Sequence, residues 1–244
     1  MYGNFQVEGP RVFSNCYQLK LNKDRIYSQY PVLQYPVPFI DDNEACNIVM
    51  NPLMNSAEEL FSGCYNLSGN DFSMIMLSLT NNITSLNKMF TGCDSVDAEI
   101  SYDLFRHCPN VTNITSFAEG TSIKGGIYSR TDNYDEDDTT TYGTFDFLRN
   151  IEQASYAFSG TDLQYIDNNV FAPLDGRYIG LREADYMFSS CNLLETYEKV
   201  TREEIIPDGY LHSKTFFTNL RNLGKFPESM FGGCSKVNMI IDSE

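Results

Sequence analysis

A phenylalanine followed three residues later by cysteine, and three residues after that by leucine or valine, recurs along the whole chain. The copies are "FSNCYQL" (13–19), "FSGCYNL" (61–67), "FTGCDSV" (90–96), "FRHCPNV" (105–111), "FSSCNLL" (188–194) and "FGGCSKV" (231–237). Degenerate copies without cysteine are "FAEGTSI" (117–123), "FSGTDL" (158–163) and "FTNLRNL" (217–223). Because a short repeat cannot bury its own apolar face, such units stack on their neighbours to form a continuous core. The sequence therefore predicts a repeat fold.

The spacing of the phenylalanines predicts a regular period of about 29 residues, within the range of known repeat proteins. The main anchors are Phe61, Phe90, Phe117, Phe158, Phe188 and Phe217. Only the interval from Phe117 to Phe158 is much longer than the others. It contains a polar stretch at 129–144, and its removal as an insertion restores the period. Intermediate phenylalanines, Phe105, Phe171 and Phe231, divide each unit into two halves. Segments such as "ADYMF" suit one short helical turn, and segments such as "LQYI" suit a short strand that pairs with neighbouring repeats.

The motif, with its short turn before the phenylalanine, resembles the BspA-type leucine-rich repeats of bacterial surface proteins and of tailed phages. The resemblance is carried by segments such as "LFRHCPNVTNITSFAEGTSIKG" and "ADYMFSSCNLLETYE" and spans residues 57–244. It implies an α/β repeat fold, a leucine-rich-repeat-like solenoid of short strands and short helical turns with a period of about 29 residues. It also implies a role in attachment or structural contact, with no catalytic residues to carry over.

Two regions are predicted along the chain. Residues 51–244 form the solenoid repeat domain, with the acidic insertion at about 129–144. Residues 1–50 form an N-terminal cap or docking segment with one degenerate repeat at 11–19. Prolines in "YSQYPVLQYPVPFIDD" favour an extended path exposed to a partner. An irregular cap folded over the first repeat is the alternative, since solenoids need their open ends covered.

Composition excludes several classes of protein. There are 33 Asp and Glu residues against 17 Lys and Arg, so the net charge of −16 disfavours binding to nucleic acid. No apolar stretch approaches the roughly 20 residues of a membrane span, so no membrane insertion is expected. A secretory leader and a wall anchor are not recognised, which favours a virion component over a bacterial surface protein.

Stacking of the repeats predicts a core built from the motif residues. The cysteines lack the paired spacing of a zinc site, and seven is an odd number for a disulfide framework, so they are interpreted as buried free thiols acting as small hydrophobes. The predicted core residues are Phe13, Cys16, Phe61, Cys64, Phe90, Cys93, Phe105, Cys108, Phe117, Phe158, Phe188, Cys191, Phe217, Phe231 and Cys234.

No catalytic, cofactor or metal site is predicted. The two histidines, His107 and His212, lie in no recognised nucleophile or phosphate-binding motif. The acidic run from Asp132 to Asp138 lacks the glycine of an EF-hand loop and is interpreted as a solvated insertion that projects from the solenoid. The number of aromatic residues exceeds the needs of the core, so five tyrosines are predicted to contact a partner: Tyr128, Tyr134, Tyr142, Tyr178 and Tyr197.

The sequence thus predicts a non-enzymatic structural or attachment protein of a tailed-phage virion, in the tail, a fibre or the capsid decoration. Its expected partners are other virion or surface proteins at the N-terminal segment and a host-surface protein or glycan on the solenoid face. Association with further copies of the chain is also open. A bacterial cell-surface adhesin, or a fragment of one, is the alternative, and a carbohydrate-active enzyme on a repeat scaffold is a remote one.

Overall fold

The computed structural model describes residues 5–7, 9–17, 19, 48–50, 53–100, 104–127, 129–131, 141–171, 179–200, 205–207, 209–217, 220, 222–223 and 229–241. The strands are β1 (Phe5–Val7), β2 (Ile48–Met50), β3 (Glu99–Ile100), β4 (Lys124–Ile127), β5 (Ser129–Thr131), β6 (Thr141–Gly143), β7 (Tyr165–Ile166), β8 (Glu195–Val200), β9 (Ile205–Pro207), β10 (Leu211–His212) and β11 (Met239–Ile240). The helices are α1 (Gly69–Ser78), α2 (Ser213–Phe217) and a 3₁₀ helix, Thr144–Phe147.

Backbone hydrogen bonds join segments that lie one repeat apart in the sequence. The N–H groups of Glu59, Phe61 and Gly63 donate to the carbonyls of the segment 87–91, with N···O distances of 2.9, 3.0 and 2.8 Å. The same pattern, in which every second N–H group of a segment donates to the segment one repeat later, recurs along the chain. It defines stacked six-residue segments that we name rungs 1 to 7: 11–16, 59–64, 88–93, 116–121, 156–161, 186–191 and 229–234.

The rungs share an unusual backbone conformation. The first residue of every rung has a positive φ, between 50° and 63°, and these residues are Arg11, Glu59, Lys88, Ser116, Tyr156, Tyr186 and Ser229. The fifth residue also has a positive φ, between 59° and 84°, and these residues are Asn15, Gly63, Gly92, Gly120, Gly160, Ser190 and Gly233. These two left-handed residues bend the chain at both ends of each six-residue rung. We call the assignment of residues to positions one to six of a rung the frame, and the backbone conformation alone identifies it.

This conformation predicts opposite effects for two substitutions at the fifth position. Gly120 has φ +70° and open space around its missing Cβ, so Gly120→Ala adds backbone strain without a clash. We expect a loss of about 1 kcal/mol of stability, because a side chain disfavours the left-handed region. Ser190→Gly should gain a similar amount. Chemical denaturation measures both changes in stability. Gly9→Ala is the control, because the φ of Gly9 is not positive and no atom lies within 4 Å of an added Cβ.

The third residue of each rung forms a central apolar column. The rings of Phe13, Phe61 and Phe90 stack at centroid distances of 5.3 and 5.8 Å with interplanar angles of 10° and 7°. Phe188 lies between Phe158 at 6.0 Å and Phe231 at 5.5 Å, at 11° to each. In rungs 2, 3, 5 and 6 these rings are fully buried.

Rung 4 corrects the predicted frame by one residue. The Phe90 N–H donates to the carbonyl of Phe117, and the Ala118 N–H donates to that of Ala157. Ala118 therefore occupies the phenylalanine position and Phe117 the one before it. The Phe117 ring still fills the gap, at 5.6 Å from Phe90 and 86° to it, because the two neighbouring positions exchange their large and small side chains. The rung consequently begins at Ser116 and not one residue earlier.

Phe217 is not the anchor that follows Phe188. The Phe188 N–H donates to the Met230 carbonyl, so Phe231 comes next in the column. A second ring column runs beside the first through Phe105, Phe145, Phe171 and Phe216, with successive distances of 6.3, 5.0 and 5.2 Å. Phe217 is partly buried and contacts Phe216 edge-on at 4.9 Å. The prediction that Phe217 belongs to the main column was therefore wrong.

The long intervals between rungs hold antiparallel hairpins. β5 pairs with β6 within the predicted insertion, with Ser129 opposite Gly143, and the acidic run at 132–138 lies outside the described residues. β8 pairs with β9, with Val200 opposite Ile205, in a second hairpin that the sequence analysis missed. Short parallel strands join successive repeats in the order β3, β4, β7 and β8. β9 is the last strand of this sheet and pairs with β8.

At the N-terminal side, β1 pairs in parallel with β2, and rung 1 pairs with rung 2. Rung 1 thus follows the same frame as the later rungs, within the region predicted as a cap or docking segment. The proline-rich part of that region lies outside the described residues. Within the part of the chain that the structure describes, no helix has the length and apolar character needed to cross a membrane.

Candidate functional site

The sixth residue of each rung lines an interior column of small hydrogen-bond donors: Cys16, Cys64, Cys93, Thr121, Thr161, Cys191 and Cys234. The thiols of Cys64, Cys93 and Cys234 donate to the carbonyl of the third residue in the preceding rung, at 3.1, 3.0 and 2.9 Å. The hydroxyls of Thr121 and Thr161 donate within their own rungs, each at 2.8 Å. The sixth position of each rung is therefore occupied by a small side chain that can donate a hydrogen bond.

This column adds a hydrogen-bonding role to the interpretation of the cysteines as buried free thiols that act as small hydrophobes. A thiol or a hydroxyl satisfies a buried carbonyl there, which an alkyl side chain would leave with one partner fewer. In the degenerate copy at 117–123, Gly120 stands three residues after Phe117, but Thr121 occupies the column position because rung 4 is shifted by one residue. In the degenerate copy at 217–223, Leu220 stands three residues after Phe217 and lies outside the column. Cys108 belongs to the second half of its repeat, and its thiol donates to Phe105 at 3.6 Å.

Burial raises the pKa of Cys64 to about 11 and the pKa of Cys93 and Cys108 to about 12, because the charged thiolate loses its hydration. The hydrogen bond with Cys234 lowers the pKa of Cys191, against the opposing effect of burial. The hydrogen bond with Cys191, followed by burial, raises the pKa of Cys234. The six cysteines of the described residues are all free, and only Cys16 is partly exposed. Since the thiolate is the reactive form, the raised pKa values make Cys64, Cys93, Cys108 and Cys234 poor nucleophiles near neutral pH.

The raised pKa values predict alkaline sensitivity. A group whose pKa rises on folding contributes stability below its unfolded value, here 9.0, and loses it as the pH rises toward the folded value, here about 12. We expect the wild type to lose about 1 kcal/mol more than Cys93→Thr between pH 8 and pH 10. Threonine is the chosen replacement because it already occupies the sixth position in two rungs. Denaturation at each pH measures this, and an identical loss in both proteins would contradict it.

Exposed aromatic residues form two stacked pairs on the surface. Tyr156 and Tyr186, the first residues of rungs 5 and 6, stack at 4.9 Å and 13°, each 38% exposed. Tyr17 and Tyr65, each next to a cysteine of the donor column, stack at 5.0 Å and 7°, at 48% and 46% exposed. We name them the central pair and the N-terminal pair. The frame aligns each pair because equivalent positions in neighbouring rungs lie one above the other.

Polar contacts also join the two repeats that carry the central pair. The backbone N–H groups of Ser159 and Ser189 donate to the carbonyls of Tyr156 and Tyr186, and their hydroxyls lie 2.8 Å apart. In the same two repeats, the amide of Gln153 donates to the Glu183 carboxylate at 3.4 Å. Exposed, stacked aromatic rings are typical of surfaces that recognise proteins or glycans.

The five tyrosines predicted to contact a partner are not the tyrosines of these pairs. Tyr142 lies in β6 opposite Arg130, and Tyr197 lies in β8 opposite Pro207, so each belongs to a hairpin. The other three, Tyr128, Tyr134 and Tyr178, lie outside the described residues. The sequence signal for the pairs was the recurrence of tyrosine at one frame position, in "CYQL" and "CYNL" and in "ASYAF" and "ADYMF".

Among the described residues, no three His, Cys, Asp or Glu side chains lie close enough together to hold a metal ion. The buried carboxylates have structural contacts. Asp71 accepts from the N–H and the hydroxyl of Ser68 at the start of α1, and Asp146 forms an ion pair with Arg149 at 3.8 Å.

Comparison with known proteins adds no relative: no family model, no curated protein and no solved structure matches this chain.

Proposed function

We propose that the chain is a leucine-rich-repeat-like solenoid that works as a non-enzymatic attachment or structural protein in a tailed-phage virion. The stacked rungs, the parallel pairing between repeats and the resemblance of the motif support this proposal. The observation that carries the attachment role is the central pair of tyrosines, which combines exposure with stacking.

Exposure and stacking matter because large aromatic rings at a surface offer contact area to a partner at low entropic cost. Tyr156 and Tyr186 are each 38% exposed and stack at 4.9 Å. Their φ values of +59° and +60° are shared by the first residue of every rung, so the conformation belongs to the repeat and not to the tyrosines alone. The attachment role therefore rests on the exposed, stacked rings.

The thiol column favours a virion protein over an exported adhesin. Each buried thiol must stay reduced to donate its hydrogen bond, and reducing conditions prevail inside the cell. Phage proteins assemble there before lysis, whereas an adhesin folds after export. In this proposal, the N-terminal segment docks to other virion proteins and the solenoid face with the central pair contacts a host-surface protein or glycan.

Mass spectrometry of gradient-purified phage particles and of washed host envelopes tests the location. We expect peptides of this chain to sediment with the particles at a fixed stoichiometry. Recovery only from the envelope fraction would contradict the virion role and leave the adhesin.

Adsorption of the purified chain to host cells tests the surface. We expect the double variant Tyr156→Gly, Tyr186→Gly to lose most of its binding to whole cells while keeping its stability, because glycine relieves the strained φ. The control replaces Tyr17 and Tyr65 with serine, which removes the other stacked pair, at 48% and 46% exposed. Equal binding by the glycine variant and the wild type would overturn the role of the central pair.

A further inference from the structure

Cys191 and Cys234 are neighbours in the donor column. They are the sixth residues of rungs 6 and 7, which are joined by the hydrogen bond from the Phe188 N–H to the Met230 carbonyl at 2.9 Å. Hydrogen-bonded neighbouring segments lie about 5 Å apart, and a disulfide needs Cα atoms about 4.4 to 6.8 Å apart. The two thiols also hydrogen-bond to each other. The stacking of the rungs therefore holds two free cysteines at a spacing that suits a disulfide.

The Cys191 sulfur has several polar neighbours. It lies 3.0 Å from the Phe158 carbonyl and 3.3 Å from the Thr161 hydroxyl. The hydrogen bond with Cys234 lowers the pKa of Cys191, burial opposes this effect, and the hydrogen bond with Thr161 adds to the lowering. Cys93, at the same frame position inside the stack, has its pKa raised by burial to about 12. The surroundings of Cys191 thus favour the thiolate, which is the reactive form of cysteine.

Cys234 gives this pair an approach from solvent. It lies in the last rung and is 8% exposed. Cys64 and Cys93, whose rungs are also neighbours, are fully buried. A small oxidant therefore meets a less enclosed pair of sulfur atoms in rungs 6 and 7 than in rungs 2 and 3.

We propose that Cys191 and Cys234 form a peroxide-sensitive disulfide site. The Cys191 thiolate attacks one oxygen of hydrogen peroxide, the O–O bond breaks, and hydroxide leaves a sulfenic acid on Cys191. The Cys234 sulfur then attacks the Cys191 sulfur, so that an S–S bond forms and the sulfenic hydroxyl leaves with the Cys234 proton as water. The two sulfur atoms together lose two electrons, and the two oxygen atoms of the peroxide gain them.

The disulfide would fix the last rungs of the stack. It joins rung 6 to rung 7 by a covalent bond and closes the loop that contains β8, β9 and α2, which restricts the unfolded chain. Rung 6 also carries Tyr186 of the central pair, so oxidation stabilises the part of the solenoid that presents this surface. The site is a property of the folded chain and does not depend on the proposed place of the protein in a virion.

Oxidation of the folded, reduced chain with hydrogen peroxide tests the site. Alkylation of the remaining thiols and peptide mapping by mass spectrometry then give the state of each cysteine. We expect a Cys191–Cys234 disulfide in the wild type, with Cys64 and Cys93 recovered as alkylated thiols. Cys93→Thr is the matched control, because it removes a buried thiol of the same column, and it should form the same disulfide. Recovery of Cys191 and Cys234 as alkylated thiols, or equal linkage of Cys64 to Cys93, would overturn the proposal.

Cys234→Thr separates the two steps. Threonine already occupies the sixth position in two rungs, and its hydroxyl can still donate to Cys191. Because this variant has no thiol beside the sulfenic acid, further peroxide should convert Cys191 to the sulfinic acid, seen as two added oxygen atoms in its peptide. An unmodified Cys191 in this variant would contradict its role as the attacking sulfur.

Urea denaturation measures the consequence of the bond. We expect oxidation to move the unfolding midpoint of the wild type to higher urea, and dithiothreitol to reverse the shift, because the disulfide restricts the unfolded chain. In Cys234→Thr, peroxide should not raise the midpoint. A wild type whose disulfide forms without raising the midpoint would show that the bond does not stabilise the last rungs.

Discussion

Replacing Phe188 with alanine is expected to lower the free energy of unfolding by about 3 to 5 kcal/mol, the cost of removing a fully buried aromatic ring. Phe188 is fully buried and stacks on both sides, against Phe158 at 6.0 Å and Phe231 at 5.5 Å. Its removal leaves a cavity in the middle of the ring column, which the neighbouring rungs cannot fill without breaking their hydrogen bonds. Urea denaturation of the purified variant measures the loss.

Phe231→Ala is the matched control for that experiment. Phe231 occupies the same frame position but is only partly buried, because among the described residues the column continues on one side of it alone, at Phe188. We expect a clearly smaller loss, since a partly buried ring removes less apolar area from water at the end of the stack. Equal losses at the two positions would contradict the assignment of Phe188 to the interior and Phe231 to the end.

Gly126→Ala should destabilise the protein by about 1 to 3 kcal/mol through overpacking. Gly126 is buried in β4, opposite Tyr165 of β7, and a Cβ there would overlap the tyrosine ring close to its point of attachment. Either the ring leaves its place over Gly126 or the two strands move apart, and both changes lose packing. Thermal denaturation measures the effect, and Gly9→Ala, with open space around it, is the control.

A double variant separates this clash from other effects of alanine. In the Gly126→Ala, Tyr165→Ala protein the ring is absent, so the added methyl group has room. We expect the double variant to be more stable than the sum of the two single losses predicts, because contacting residues are not additive. Additive losses would mean that the Tyr165 ring does not cover Gly126.

The sequence predicted the motif residues of the core but only part of their frame. The regular spacing identified the ring column because stacking demands the same residue type at the same place in each repeat. Taking Phe117 as an anchor placed rung 4 one residue too early. The exchange of large and small side chains at two neighbouring positions keeps the packed volume the same, so the shift is not visible in the sequence. Phe217 fits the regular period after Phe188 by coincidence, because a hairpin lengthens the true interval, which ends at Phe231.

The surface features were less accessible to sequence analysis. The left-handed first position of each rung is filled by Arg, Glu, Lys, Ser or Tyr, none of which marks a positive φ as glycine does. The central pair depends on that conformation and on the one-repeat spacing together, so a list of non-core tyrosines missed it. The donor role of the cysteines likewise depends on where the carbonyls of the preceding rung point, which spacing alone does not give.

Hydrogen-bond scalar couplings, measured by NMR on deuterated protein, test the rung frame most directly, because each one joins a particular donor nitrogen to its acceptor carbonyl. The structure predicts couplings from Phe188 to Met230 and from Ser190 to Gly232, the bonds of 2.9 and 2.6 Å between rungs 6 and 7. A strictly regular period, with Phe217 as the next anchor, would instead join Phe188 to the carbonyl of Phe216. That coupling would contradict the frame on which the stacked column and the central pair depend.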